Sequence, residues 1–127
     1  MTQEQEDLLL KDLCARLPYG VILNCCEIVS EPLTRITYKG LVNDDYDIDE
    51  VKPYLFPLSS MTDEQLYNNP IGFVQMGTIK VDRDWEYITI DRRAYYKLVD
   101  WFNKNHFDYR GLIPIGLAKD ATGLNIY

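Results

Sequence analysis

The sequence predicts an α+β protein, and three observations carry that expectation. Residues 2–17 and 91–104 repeat apolar side chains at helical spacing. Between them lie short β-branched and apolar runs, broken by proline, glycine and asparagine. At 127 residues the chain suits one domain, 1–127, able to bury a core without metals or disulfides. The expected architecture is a small curled antiparallel sheet that could approach a barrel, plus a hairpin. An N-terminal helix and a C-terminal amphipathic helix would pack it.

Thr2 and Gln5 have the spacing of a capping box, and Leu10, Leu13, Cys14 and Leu17 follow as one apolar stripe. Acids in the first turn and Lys11 and Arg16 near the end suit the helix dipole. "LPYG" at 17–20 stops the helix, since Pro18 cannot continue it. Residues 21–28 read as a buried strand, "EP" at 31–32 as a connection, and "TRITYKGLV" at 34–42 as a second strand. That strand would turn Ile36, Tyr38 and Val42 inward. "YDID" at 46–49 reads as a third short strand with Tyr46 and Ile48 inward. Pro53 and Pro57 argue against both a helix and a central strand over 52–61.

Thr62 and Gln65 repeat the capping-box spacing, and Met61 and Leu66 stand at the positions of a hydrophobic staple. A short helix should start there and end near "NNP" at 68–70. Residues 72–90 read as a hairpin bending at "DRD" (82–84). Asp91 suits the N-cap of the last helix, whose stripe is Tyr95, Leu98, Val99 and Phe102, with Asp100 and Lys104 an i, i+4 ion pair. The apolar residues spaced through 112–126 imply that the remaining segment packs on the core.

The net charge is −7 and no basic run exists, which argues against a nucleic-acid binder. The three cysteines, Cys14, Cys25 and Cys26, form no C-x-x-C and pair with no histidine, so neither a zinc site nor a disulfide framework is indicated. Residues 1–10 lack the basic, apolar character of a signal peptide, and no stretch has the apolar length of a membrane span. The expected location is the cytoplasm. No Gly-rich phosphate loop or other cofactor motif is present.

Two clusters invite a functional reading. "NHFDYRGL" at 105–112 gathers His106, Asp108, Tyr109 and Arg110. A catalytic reading makes His106 a general base oriented by Asp108, with Arg110 holding an anion. The structural reading needs less and is preferred: His106 bonds the last helical carbonyls, Phe107 and Tyr109 point inward, and Arg110 pairs with an acid. In "NDDYDIDEV" at 43–51, Asp45, Asp47 and Asp49 have calcium-loop spacing. Glu50 stands where the loop needs glycine and Phe56 where it needs glutamate, so a solvated acidic strand face that blocks edge-to-edge pairing is the preferred reading, with an irregular cation site and a patch for a basic partner as alternatives and no metal expected.

Three segments, "KDLCARLPYGV" (11–21), "VKPYLFPLSSMT" (51–62) and "NKNHFDYRGLIPIGLAKD" (103–120), resemble a family of small proteins encoded by phages and prophages of gut Bacteroidales bacteria. Segments 22–50 and 66–102 depart from that pattern. The family carries no assigned activity, so the resemblance implies phage origin and a bacterial cytoplasm, and nothing chemical. The function expected is that of a non-enzymatic accessory or regulatory protein binding a protein partner or itself. The alternatives are a small-ligand binder or enzyme centred on 106–110, and a virion or assembly component.

Overall fold

In a computed structural model, residues 1–25, 29–71, 76, 80 and 92–127 are described. The fold is α+β: helices flank a four-stranded mixed sheet that does not close. Helix α1 spans Gln3–Arg16, strand β1 Ile22–Cys25, strand β2 Val29–Pro32 and helix α2 Arg35–Val42. Strand β3 spans Val51–Leu55, helix α3 Asp63–Tyr67, helix α4 Arg92–Lys104 and strand β4 Lys119–Asp120.

The strand order is β2-β1-β3-β4. β1 pairs antiparallel with β2 (Leu23 opposite Glu31) and with β3 (Leu23 opposite Pro53), but β4 joins β3 in parallel. The expected purely antiparallel, barrel-like sheet is therefore corrected to an open, mixed one. The chain reaches β4 only after passing through α4, and such a return brings the last strand in along β3's own direction.

Both capping boxes form as the spacing predicts. Thr2 accepts from the Gln5 amide and the Thr62 hydroxyl from the Gln65 amide, with each glutamine returning a bond. Met61 and Leu66 are buried as a staple requires. "LPYG" stops α1 by tightening into a 3-10 turn at Leu17–Tyr19, closed by Gly20 at φ +65°.

Four assignments are corrected. Residues 35–42 are helix α2, not a strand. Thr34 caps it by accepting from the Thr37 amide at 3.2 Å, and the buried side is Leu33, Gly40 and Leu41 with half-buried Thr37, which is helical spacing. Ile36 and Val42, expected inward, are 78% and 51% exposed. Tyr46 is also exposed, Ile48–Glu50 is a 3-10 turn, and the strand starts at Val51. Pro53 thus lies in a strand after all. Among the described residues β3 has a neighbour there on one side, because the β4 ladder begins at Tyr54, so a missing amide donor is tolerated. Residues 31–32 likewise belong to β2 rather than to a connection.

The α1 stripe is also displaced. Leu9, Asp12, Leu13 and Arg16 are buried, whereas Cys14 is exposed. Of the predicted α4 stripe, Leu98 and Phe102 are buried and Tyr95 is 43% exposed. Asp100 takes the Tyr19 phenol, which ties the first turn region to α4. The hairpin expected at 72–90 and the Asp91 cap lie outside the described residues, apart from Met76 and Lys80, whose backbone is helical.

Among the described residues, two apolar clusters result. One holds Leu9, Leu13, Leu23, Leu55 and Leu112 beneath the sheet; the other holds Met61, Met76, Leu98, Phe102, Phe107 and Tyr109. The segment 107–112 feeds both.

Helix α2 has eight residues, too few to persist without its cap. Thr34→Ala is expected to cost about 0.5–2 kcal/mol in urea denaturation. A change no larger than that of a loop substitution would contradict the assigned cap.

Candidate functional site

The residues singled out at 106–110 meet α1 in one polar knot. Helix α4 ends at Lys104, and the chain reverses through His106, which takes φ +62°. The His106 amide donates to the Asn103 carbonyl (3.2 Å) and the Phe107 amide to the Phe102 carbonyl (2.9 Å). That pair of bonds is a Schellman closure with His106 in the left-handed position, and Phe107 meets Phe102 ring to ring as such closures favour. Histidine tolerates this backbone better than most non-glycine residues.

The helix end expected there is present, but the backbone makes it rather than the imidazole. The ring stacks on Tyr127 at 3.7 Å between centroids and 14° between planes. Burial, with the nearby Arg16 guanidinium second, lowers the His106 pKa to about 4. It is therefore neutral near pH 7, and the expected partial positive charge at the helix end is corrected.

Arg16 and Asp12 are fully buried one turn apart on α1. Arg16 Nε and Nη2 reach the Asp12 carboxylate at 2.8 and 3.1 Å, and Nη2 also donates to the Phe107 carbonyl at 2.6 Å. Arg110 Nε donates to the same carboxylate at 3.2 Å, so its acid is Asp12 rather than Asp108. Asp108 instead holds the chain that follows it, its two oxygens accepting the Leu112 and Ile113 amides at 2.8 and 2.9 Å. Burial raises its pKa, while those amides pull the other way. The Tyr109 hydroxyl donates to Asn103 (3.0 Å) and accepts from Arg110 (3.1 Å). Both guanidiniums lie near the Tyr109 ring, at 5.3 and 4.9 Å from its centre.

Buried Asp12 thus takes two guanidiniums, buried Arg16 and half-buried Arg110. His106, Asp108, Tyr109 and Arg110 are brought together as the sequence implies, but their polar atoms are taken up in holding 106–113 to α1 and α4. Asp12, Arg16 and Asn103 escape a reading of the sequence. The available signal is Asp12 and Arg16 at i, i+4 on the side of Leu9 and Leu13; a charged pair there reads as solvent-facing unless a partner 91 residues away is known.

The acidic stretch behaves differently. Asp45, Asp47 and Glu50 line an open groove of about 360 Å³ together with Glu31, Thr37, Tyr46 and Val51. Asp49 lines no part of it and lies 3.8 Å from the Met1 amino group. Asp47 also accepts the Asp49 amide, capping the 3-10 turn. The Tyr46 ring lies against Gly40, where a side chain would collide with it. Among the described residues no group of three or more His, Cys, Asp or Glu is arranged to hold a metal ion. No described helix is long and apolar enough to cross a membrane. Cys26 and the Cys25 side chain lie outside the described part, and Cys14 is a free, exposed thiol.

No protein-family model, curated protein or solved structure matches this chain. Among the described residues, the knot and the groove are where the residues singled out in the sequence lie. The knot is a closed scaffold, and the groove is open and strongly acidic.

Arg16→Met alone leaves a buried carboxylate short of a partner and is expected to cost about 3–5 kcal/mol, as is Asp12→Leu. The Asp12→Leu/Arg16→Met double variant should lose clearly less than the sum; strict additivity in urea melts would show that the charges are not coupled. A second expectation concerns pH. Unfolded histidine takes its proton near 6.5 and folded His106 near 4, so the unfolded state binds more protons between those values. The stability contributed by neutral His106 is complete above pH 6.5 and is lost as pH falls toward 4. The stability gap between the parent and His106→Asn should narrow over that interval; a constant gap would refute the burial of a neutral ring.

Proposed function

We propose that this chain is a non-enzymatic binding protein, an accessory factor of phage or prophage type working in a bacterial cytoplasm, and that its acidic groove receives a basic segment of a protein partner. The observation that carries the reading is the convergence of Glu31, Asp45, Asp47 and Glu50 on one concavity beside the Tyr46 ring. Four carboxylates favour a lysine or arginine side chain over an anion, and an aromatic face adds cation–π attraction. The volume is near the low end for ligand sites and suits one such side chain rather than a large cofactor. Nearby, Ile36, Val42 and Tyr46 stand in solvent and offer apolar contact beside the charge.

The enzymatic alternative at 106–110 loses support because its acid, phenol and guanidinium are each committed to a structural partner. A base also needs a proton to take, and a histidine with a pKa near 4 is a weak one at neutral pH.

A lysine- and arginine-rich peptide titrated into the protein should bind, and binding should weaken as salt rises. Glu31→Lys/Asp45→Lys should reduce the affinity about tenfold or more, with Asp47 retained because it caps a turn. Equal affinity for both proteins would dismiss the groove as the docking face.

A further inference from the structure

The ladder between β1 and β3 stops at Leu23 opposite Pro53, which leaves Ile22 facing Tyr54 as the next pair. The Tyr127 hydroxyl stands between, accepting from the Ile22 amide at 2.8 Å and donating to the Tyr54 carbonyl at 2.8 Å. Its ring lies flat on His106 and tilted against Phe56, 5.8 Å between centres. Beyond this point Phe56 turns its backbone to the 106–108 segment, bonding the His106 carbonyl and the Asp108 amide. A phenol thus fills a notch formed by a strand donor, a strand acceptor and two aromatic walls.

The walls have ties of their own. Ile22 and Tyr54 belong to paired strands, and His106 is held by the Schellman closure of α4. The occupant is held far less. Residues 122–125 are exposed, Tyr127 is itself 44% exposed, and among the described residues the backbone of 123–127 is tied by one bond, from Leu124 to the Ala121 carbonyl. Among the described residues, His106 Nδ1 and Arg16 Nη1 are buried with no hydrogen-bond partner, and Arg16 is close enough to influence both His106 and Tyr127.

We propose that this notch is a binding site for a phenolic ring, the side chain of tyrosine, which the chain occupies with its own Tyr127. A preformed site with a loosely tethered internal occupant is an autoinhibited one: an outside tyrosine enters when 122–127 lifts away. The tether gives Tyr127 a high effective concentration, so the parent resists a free competitor that a variant without the ring accepts. The notch is separate from the acidic groove, and either could fail without the other.

The test uses Tyr127→Ala in the full chain with p-cresol, the tyrosine side chain as a free molecule, and toluene, which lacks the hydroxyl. Saturating p-cresol should raise the Tm of Tyr127→Ala by about 4 °C or more. Toluene should do much less, because it leaves the Ile22 amide and Tyr54 carbonyl unpaired. The parent should respond to neither, and Tyr127→Ala/His106→Asn, lacking the stacking wall, should lose the p-cresol response. An unmoved Tyr127→Ala, an equal response to toluene, or an equal response in the double variant would each overturn the site. Should Tyr127→Ala fail to fold, Tyr127→Phe decides. It keeps the ring and must melt several degrees below the parent if the hydroxyl is recognised, and an unchanged Tm would overturn the proposal.

Discussion

A carboxylate with no exposure to water has to be answered by charge, and in this fold Asp12 is answered twice, by Arg16 from its own helix and by Arg110 from far along the chain. Much of the arrangement follows from that requirement. Arg16 also takes the Phe107 carbonyl, so α1 and the end of α4 meet at a single guanidinium. The segment 107–112 is thereby pinned where it can send Phe107 and Tyr109 into one apolar cluster and Leu112 into the other. Replacing such a network by apolar residues can be neutral in energy; what the charges add is a directional tie between α1 and the end of α4.

Around that knot, backbone groups left over by helices and strands are closed by neighbours from distant sequence. The last carbonyls of α4 receive the His106 and Phe107 amides, and the Leu112 and Ile113 amides receive Asp108. The open end of the β1–β3 ladder receives the Tyr127 phenol. The polar atoms that look reactive in one dimension are thus largely consumed inside the molecule. Glu31, Asp45, Asp47 and Glu50 instead line an open groove beside Tyr46, and that is where the proposed partner would dock.

Signals that act within a few residues were legible in the sequence. The two capping boxes, the Met61–Leu66 staple, the "LPYG" stop and the existence of α1 and α4 depend on contacts three to five positions apart, and each is present. The α+β class follows from those elements together with the apolar runs between them. The helix end at His106 was also legible, since an interrupted stripe marks it, although the imidazole was wrongly expected to make the bonds.

Tertiary contact decided the rest. Residues 35–42 alternate well enough for a strand, and only burial of Gly40 and Leu41 with the Thr34 cap makes them a helix. Pro53 enters β3 at a position that the β4 ladder, which begins at Tyr54, does not reach, a fact no local pattern contains. Asp45 and Asp47 were recognisable as an acidic face, but Glu31 joins them only through the pairing of β2 with β1. Arg16 resembled a surface residue until Asp12 and the Phe107 carbonyl enclosed it. Local sequence sets where a backbone turns and stops, because those free energies arise between neighbours. Which charges are buried, and against what, depends on groups about a hundred residues apart, and only the folded chain brings them within a hydrogen bond.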